Sequence, residues 1–419
     1  MARRGVHQGI CSNVVMRTKR ILIFSLSYFP RYVGGAEIAI KEITDRIDPA
    51  DIEFHMVTLR FDSMLPRVEK VGNVLVHRIG FSRPNPTTAD LRRFPIHLNK
   101  FLFQFLAPFV AMRLHEKYRY DGAWGMMAHS CGVPTTLLNF LTGVPYVLTL
   151  QEGDPIPYIM KKVWPVYPLF VRAFRKAAVI QSISTFLARW AEDMGATCPI
   201  IVVPNAVDMK HFSKTYSTEE LDDLKRKLGK KSGDVFLITT SRLVTKNAVD
   251  DVIRALKMLP DYVYFLVLGA GPDEEMLRAL AKEIGVEHRV RFIGQIDHAE
   301  LPKYLKVSDI FVRPSRSEGM GNSFVEAMAA GIPVIATQEG GIADFLFDAR
   351  KNPDKETTGW AVAKNTPEEI AQAVMDILSH TKKTTQVVAT AKKLVSETYD
   401  WNIIVKCMRE KVFLVLLSK

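Results

Sequence analysis

The chain has 419 residues, of which 47% are hydrophobic and 24% charged, and its formal net charge is +11. That length suits two domains, and the composition excludes bulk disorder, a fibrous repeat and a small disulfide scaffold. The first 204 residues hold ten of the eleven net positive charges, which favours an anionic acceptor or an anionic membrane face over nucleic acid, because no nucleic-acid motif accompanies the charge.

Residues 1–19 read as a loose basic tail, with Arg3, Arg4, Arg17 and Lys19 and no acid, and Met16 is a candidate second start. No apolar run of signal-peptide length follows before the first strand pattern. Short apolar, β-branched runs then alternate with amphipathic stretches, the pattern of parallel sheets covered by helices. In the first half strands are predicted at Arg20 to Ser27, Ile52 to Leu59, Val74 to Ile79, Gly122 to Ala128, Tyr146 to Leu150, Val179 to Ser182 and Ile200 to Val203. The stretch Phe101 to Met112 is broken by Gln104 and Pro108 and falls short of a membrane span. Phe101 to Tyr118, with Arg113, Lys117 and Arg119 at its end, reads as a covering helix in preference to an interfacial one, and Lys161, Lys162, Arg172, Arg175 and Lys176 extend the basic character.

A polar, charged segment between Pro204 and Gly233 marks the boundary, with the linker near 204–215. The second half restarts with strands at Val235 to Thr240, Tyr264 to Leu268, Val290 to Ile293, Ile310 to Val312, Val334 to Thr337 and Trp360 to Val362, and with helices at Asp273 to Ile284 and Pro367 to Leu378. The tail Trp401 to Leu417 is too apolar to float in solvent and is expected to pack on the N-terminal domain. Cys11, Cys131, Cys198 and Cys407 lie far apart without metal-ligand spacing, so a reducing compartment is expected and neither a disulfide framework nor a zinc site.

The chemistry concentrates after the strand at Ile310. There Ser315-Arg316-Ser317-Glu318-Gly319-Met320-Gly321-Asn322-Ser323 leads through a glycine-rich loop into a helix carrying Glu326. Backbone N–H groups near Asn322 and Ser323 are expected to converge on an anion, phosphate being the obvious one. A carboxylate beside such a site suits the vicinal hydroxyls of a sugar or ribose, although a helix N-terminus also favours acids in its own right. Arg242 and Lys246 follow the strand Val235 to Thr240 at the edge where doubly wound sheets bind ligands, and two cations there suit a diphosphate unless they form a solvated basic loop. Gly34 and Gly35 follow the first strand, where they serve either a close ligand approach or a plain tight turn. Leu268-Gly269-Ala270-Gly271-Pro272-Asp273-Glu274 lacks the third glycine of a dinucleotide fingerprint, which demotes a nicotinamide oxidoreductase. His55, His77, His97 and His115 have no partner spacing, and neither a nucleophile elbow nor a Walker loop is present.

The run Glu318 to Glu326, followed by Ala327-Met328-Ala329-Ala330-Gly331-Ile332-Pro333-Val334-Ile335-Ala336, resembles the E-x7-E signature of retaining glycosyltransferases of the GT4 family. Ser241-Arg242-Leu243-Val244-Thr245-Lys246-Asn247 resembles the family's donor-diphosphate stretch, and Gly34-Gly35-Ala36-Glu37 its N-terminal glycine loop. Pro204-Asn205-Ala206-Val207-Asp208 is similar to its junction segment, with Ala in place of Gly. The resemblance covers roughly residues 20–400.

It implies an α/β GT-B fold: two Rossmann-like doubly wound parallel-sheet domains face a central cleft, and a C-terminal helix returns to the N-terminal domain. The domains would be 20–204 for the acceptor, 205–400 for the donor and 401–419 for the returning helix. It implies a retaining, metal-independent hexosyltransferase using a UDP- or GDP-sugar as co-substrate, without a cofactor, on a glycan or lipid-linked acceptor. His129 would contact the transferred sugar, Arg242 and Lys246 the leaving diphosphate, Glu318 the sugar and Glu326 the ribose. Gly34, Gly35, Gly319, Met320, Gly321, Asn322 and Ser323 would line the donor site, and Gly294, Gln295 and Ile296 the base pocket. Gln151-Glu152-Gly153-Asp154 departs from the family's His or Asp beside the acceptor, leaving Glu152 and Asp154 as acceptor-side candidates. The cysteine usage and the basic N-terminal half give the expectation of a cytoplasmic enzyme with peripheral contact to an anionic inner membrane face, and the alternative is a nucleotide-sugar-binding module that has lost turnover. The resemblance carries no nucleic-acid partner, and it leaves open the sugar, the base and the oligomeric state.

Overall fold

The computed structural model describes residues 17–31, 33–87 and 90–419, so the expected basic tail lies outside the described residues as far as residue 16. Among the described residues fourteen strands build two sheets. The first contains β1 (Lys19–Phe24), β2 (Ile52–Leu59), β3 (Val68–Val71), β4 (Val74–Ile79), β5 (Gly122–Met126), β6 (Tyr146–Leu150), β7 (Val179–Ser182) and β8 (Ile200–Val202), in the order β3-β4-β2-β1-β5-β6-β7-β8. The second contains β9 (Val235–Thr240), β10 (Val263–Leu268), β11 (Val290–Gly294), β12 (Ile310–Arg313), β13 (Val334–Ala336) and β14 (Trp360–Ala361), in the order β11-β10-β9-β12-β13-β14. All pairings are parallel except β3 with β4.

Parallel strands buried on both faces need continuous apolar runs. Ile21, Leu22, Ile23 and Phe24 of β1 are fully buried, as are Phe236, Leu237 and Ile238 of β9. β3 is absent from the sequence reading because Val68-Glu69-Lys70-Val71 alternates and is charged, as suits a short antiparallel edge joined to β4 by the turn at Gly72-Asn73. Both sheets reverse strand order once, between β1 and β5 and between β9 and β12. Open α/β sheets bind ligands at the carboxyl ends of the strands beside such reversals. The loops after these four strands carry Gly34 and Gly35, His129, Arg242 and Lys246, and Glu318.

The chain leaves the second domain at Tyr399, whose carbonyl accepts from the Val207 amide at 2.8 Å. Helix Trp401–Cys407, a π turn at Met408–Phe413 and helix Leu414–Leu417 then lie on the N-terminal sheet. Phe413 is fully buried, its ring 5.1 Å from that of Trp124 and 5.7 Å from that of Phe54. No described helix is long and apolar enough to cross a membrane. Phe413→Ala empties that ring pocket, and a fully buried Phe→Ala change costs about 3–5 kcal/mol. Denaturant unfolding followed by Trp124 fluorescence is expected to show a correspondingly lower midpoint; an unchanged midpoint would mean that the tail does not hold this domain.

Candidate active site at the interdomain cleft

Arg313 ends β12 and is only 8% exposed. A buried guanidinium needs several acceptors. Nη2 pairs with the Glu318 carboxylate and donates to Asn247 Oδ1 at 3.0 Å, and Nη1 donates to Ser323 Oγ at 2.7 Å. One side chain thus ties together the loop after β9, the glycine-rich loop after β12 and the first turn of helix Asn322–Ala330. Glu318 is 9% exposed, and its second oxygen accepts the Gly319 amide at 3.2 Å.

Lys246 Nζ donates to the Gly153 carbonyl at 2.6 Å and lies 3.5 Å from Asp154 Oδ1. Glu318 faces the same glycine, since a Cβ built on Gly153 would stand 3.2 Å from Glu318 Oε1 and 3.0 Å from Lys246 Nζ. Gly319 packs so tightly on the N-terminal domain that a Cβ there would lie 2.3 Å from the Glu152 carbonyl oxygen. Backbone meets backbone at Gly319, which explains that glycine, whereas the near neighbours of Gly153 are side-chain ends.

His129 lies in a π turn, Ala128–Gly132, that follows Met127 in a left-handed conformation at φ 68°. π turns and positive-φ residues without a glycine are both frequent at functional sites. Glu152 is 1% exposed, and its Oε1 lies 3.3 Å from the His129 amide nitrogen and 3.3 Å from Nδ1, while Oε2 accepts from the Gln151 amide at 2.9 Å. The carboxylate of Glu152, an acceptor-side candidate in the sequence, is turned inward against the His129 ring. Asp154 likewise faces Lys246, on the donor side of the seam.

Gly35 begins helix Gly35–Asp45 opposite the other helix start, with Asn322 Nδ2 3.7 Å from a Cβ built on it. Two positive helix ends therefore face each other across the cleft. Gln151 Nε2 donates to Asn205 Oδ1 at 2.8 Å, and Asn205 Nδ2 to Asn322 Oδ1 at 3.2 Å, a polar chain from one domain to the other. Thr185 adds a second bridge, its amide 2.7 Å from Asp344 Oδ2.

Beside this seam opens a cleft of about 930 Å³ lined by Val33, Gly34, Ser241, Arg242, Gln295 and Ile296. Arg242 is exposed on its wall and makes no ion pair among the described residues. Gly269 and Gly271 pack against the loop after β9, where a Cβ would come within 1.9 Å of the Ser241 carbonyl oxygen and 2.1 Å of that of Leu243. Those glycines form a wall of the cleft. Gly294, at φ 82°, ends β11 and turns the chain toward Gln295 and Ile296. The Met320 side chain is 1% exposed within the core, which leaves only its backbone for the donor contact expected of it. A smaller pocket of about 260 Å³ lies on the N-terminal side, lined by Ser27, Glu37, Phe61, Lys100, Met127 and Ser130.

Glu326 stands apart from Glu318. Its Oε1 is 3.3 Å from His298 Nε2, the His298 ring stacks on that of His211 at 5.6 Å, and His211 Nε2 lies 3.0 Å from the His298 carbonyl. The hydrogen bond to Glu326 raises the His298 pKa above its ordinary value. Sequence reading missed Arg313 and His298, and it gave Asn247 and Asn205 only as members of motifs, without a role. A cation at the end of the apolar strand Ile310-Phe311-Val312 was the available signal for Arg313, whereas nothing in sequence spacing links His298 to Glu326. No three His, Cys, Asp or Glu side chains gather at metal-ligand spacing among the described residues.

Comparison with known proteins bears on the same regions. The family model described as "Glycosyltransferase Family 4" matches residues 33–211, and that described as "Glycosyl transferases group 1" matches residues 221–394. An uncharacterized glycosyltransferase of Methanocaldococcus jannaschii is 26% identical over 404 residues, covering 92% of this chain and 96% of its own. A GDP-mannose-dependent alpha-(1-6)-phosphatidylinositol monomannoside mannosyltransferase of Mycobacterium tuberculosis is 27% identical over 62% of this chain and 68% of its own. Among solved structures, Anabaena HepE in complex with UDP and glucose superposes with a TM-score of 0.73 at 20% identity, over 94% of this chain and all of that one. Sucrose-phosphate synthase from Thermosynechococcus elongatus superposes with a TM-score of 0.78 at 17% identity, over 96% of this chain and all of that one.

The His298–Glu326 pair sets a pH dependence with a definite sign. A histidine whose folded pKa is raised contributes stability that is fully present below its unfolded pKa, about 6.5, and is lost as pH rises through the folded value. The difference in melting temperature between wild type and His298→Gln is therefore expected to be largest near pH 5.5 and to shrink toward pH 8.5, both set roughly by that pKa. Equal differences at the two pH values would show that the pair contributes no charge interaction.

Proposed function

Because the chain belongs to the group 1 glycosyltransferases of family 4, with the GT-B fold, we propose that it is a retaining, metal-independent hexosyltransferase. Its donor would be a UDP- or GDP-sugar bound in the cleft beside Arg242. Its acceptor would be a hydroxyl of a glycan or glycolipid precursor, used in envelope polysaccharide synthesis at the cytoplasmic face of a membrane. The observation that carries this reading is the meeting of Lys246 and Glu318 on Gly153, between two facing helix N-termini and beside a cleft lined by Arg242.

In this reading Arg242 and Lys246 neutralise the departing diphosphate, where most of the transition-state charge develops, and the amides of Asn322 and Ser323 add to them. Glu326 accepts the ribose hydroxyls once His298 is displaced. Glu318, held by Arg313, accepts hydroxyls of the transferred sugar, and His129, held by Glu152, faces that sugar from the N-terminal domain. The acceptor oxygen bonds to the anomeric carbon from the side on which the bond to the diphosphate oxygen breaks, and the acceptor proton passes to that leaving oxygen. Closure of the Gly153–Gly319 seam excludes water, so that the sugar goes to the acceptor.

A thermal-shift series with UDP-, GDP- and ADP-sugars tests the donor site, since a ligand that binds only the folded state raises the melting temperature. One base series is expected to stabilise wild type and to lose that effect in Glu326→Ala. Lys246→Ala is expected to abolish transfer while the fold persists. Absence of any shift at saturating donor would overturn the donor site, and donor stabilisation without consumption across candidate acceptors would favour a binding module without turnover.

A further inference from the structure

A carboxylate of the second domain caps a helix of the first. Helix Thr185–Asp193 follows β7, and Ser184 serves its start from within the first domain, its Oγ accepting from the Leu187 amide at 3.3 Å. The amide of the first helical residue is left over, and it goes to Asp344. Thr185 N–H donates to Asp344 Oδ2 at 2.7 Å, and the Thr185 hydroxyl donates to Oδ1. Free amides and the positive end of a helix both favour a carboxylate at that place. Asp344 has no Lys or Arg partner among the described residues, so this helix end is what holds its charge.

Asp344 closes the 3₁₀ turn Gly340–Asp344, which follows β13. The start of that turn lies on the backbone of the glycine-rich loop. Gly341 N–H donates to the Glu318 carbonyl at 3.2 Å. A Cβ on Gly340, at φ 60°, would stand 1.9 Å from the same oxygen, and one on Gly341 would stand 1.9 Å from the Gly319 carbonyl oxygen and 2.6 Å from Ser184 Cβ. Backbone packed on backbone transmits a displacement with no flexible side chain to absorb it. Phe345, next in the chain, sets its ring 5.9 Å from that of Tyr399, whose carbonyl takes the Val207 amide where the chain crosses between the domains. The stretch Gly340 to Phe345 therefore touches a helix start of the first domain, the backbone of Glu318 and the crossing point. Lys246 and Glu326 have their partners elsewhere.

We propose that Asp344 is a positioning residue for sugar transfer: by capping helix Thr185–Asp193 from the opposite domain, it fixes the backbone of Glu318 against the N-terminal wall that carries His129. The positioning rests on the transferase reading above; the cap does not. Arg313 holds the Glu318 carboxylate within the second domain, and Asp344 sets the loop that bears it relative to the first. Without the cap the donor still finds Arg242, Lys246 and Glu326, all in the second domain, but the transferred sugar and the N-terminal groups no longer meet in register.

Turnover is read as diphosphate release from UDP-glucose or GDP-mannose, whichever raises the melting temperature of wild type, with octyl glucoside as acceptor and with water alone. Asp344→Ala is expected to lower kcat on the order of tenfold to a hundredfold, the loss that a small misplacement of reacting groups brings. The donor concentration that gives half of the thermal shift is expected to stay at the wild-type value. Asn caps a helix as well as Asp does, so Asp344→Asn is expected to return kcat to within about threefold of wild type. Thr185→Pro removes both donors at a position where helices accept proline, behind a residue already extended at φ −155° and ψ 160°. It is expected to reproduce the kcat loss of Asp344→Ala, and the double variant to lose no more than either single one. Wild-type kcat in Asp344→Ala, an equal loss in Asp344→Asn, or a weakened donor midpoint would each overturn the positioning role. Melting temperatures of the same variants test the cap without turnover: equal and non-additive losses are expected, and additive ones would overturn it. Wild type that binds a donor and releases no diphosphate would instead remove the transferase reading, and the positioning with it, while the melting temperatures still decide the cap.

Discussion

The site is organised around a buried charge. Arg313 stands at the end of β12, where the strand's apolar run delivers a guanidinium into an interior that cannot solvate it. Breaking such a pair by removing one partner costs about 3–5 kcal/mol, because the other charge remains buried and unpaired. That penalty is what fixes geometry here. Glu318, Asn247 and Ser323 come from three separate segments, and each is held at hydrogen-bond distance by the same planar fork. The loop bearing Lys246 and the first turn of helix Asn322–Ala330 are therefore set relative to Glu318 before any ligand arrives, which is what electrostatic preorganisation requires.

Topology supplies what Arg313 alone does not. Both sheets reverse strand order once, so the loops leaving β1, β5, β9 and β12 open into the same cleft. Two helices start there, and their free amides face one another across it. At the cleft the domains touch through small or polar groups, Gly319 on the Glu152 carbonyl, Asn205 on Asn322 and Thr185 on Asp344, beside a buried apolar cluster that includes Ile183 and Leu187 of the first domain and Met320 and Ile342 of the second.

The fold was legible in the sequence because parallel strands leave an unambiguous apolar signature, and thirteen of the fourteen strands carry it. The exception, β3, is short and charged and lies on the edge, where packing does not dictate composition. The glycine-rich loop and the Glu318 to Glu326 spacing announced the site because close backbone approach admits only glycine. What spacing could not give were pairings made by tertiary contact. Glu152 reads in the sequence as a group offered to an acceptor, and its contact with His129 is visible only in the tertiary structure. Met320 sits between two exposed-looking glycines, yet its side chain fills the core. His298 reaches Glu326 across 28 residues of chain with no periodic relation between them.

The cations of the site differ in a way that bears on how a donor would enter. Arg242 is exposed on the cleft wall, free to meet an anion first. Lys246 is already engaged by the Gly153 carbonyl and by Asp154. A diphosphate reaching Lys246 would have to exchange those contacts, both made by the loop Gln151–Asp154, for charge-assisted ones of its own. That loop holds His129 through Glu152 and leads directly into helix Ile156–Val163. The contacts of Lys246, the orientation of the histidine and the start of helix Ile156–Val163 thus meet in a single short segment. Its glycine stands where a Cβ would meet the ends of the Lys246 and Glu318 side chains at 3.0 and 3.2 Å, so the segment touches both charged groups of the second domain at one residue.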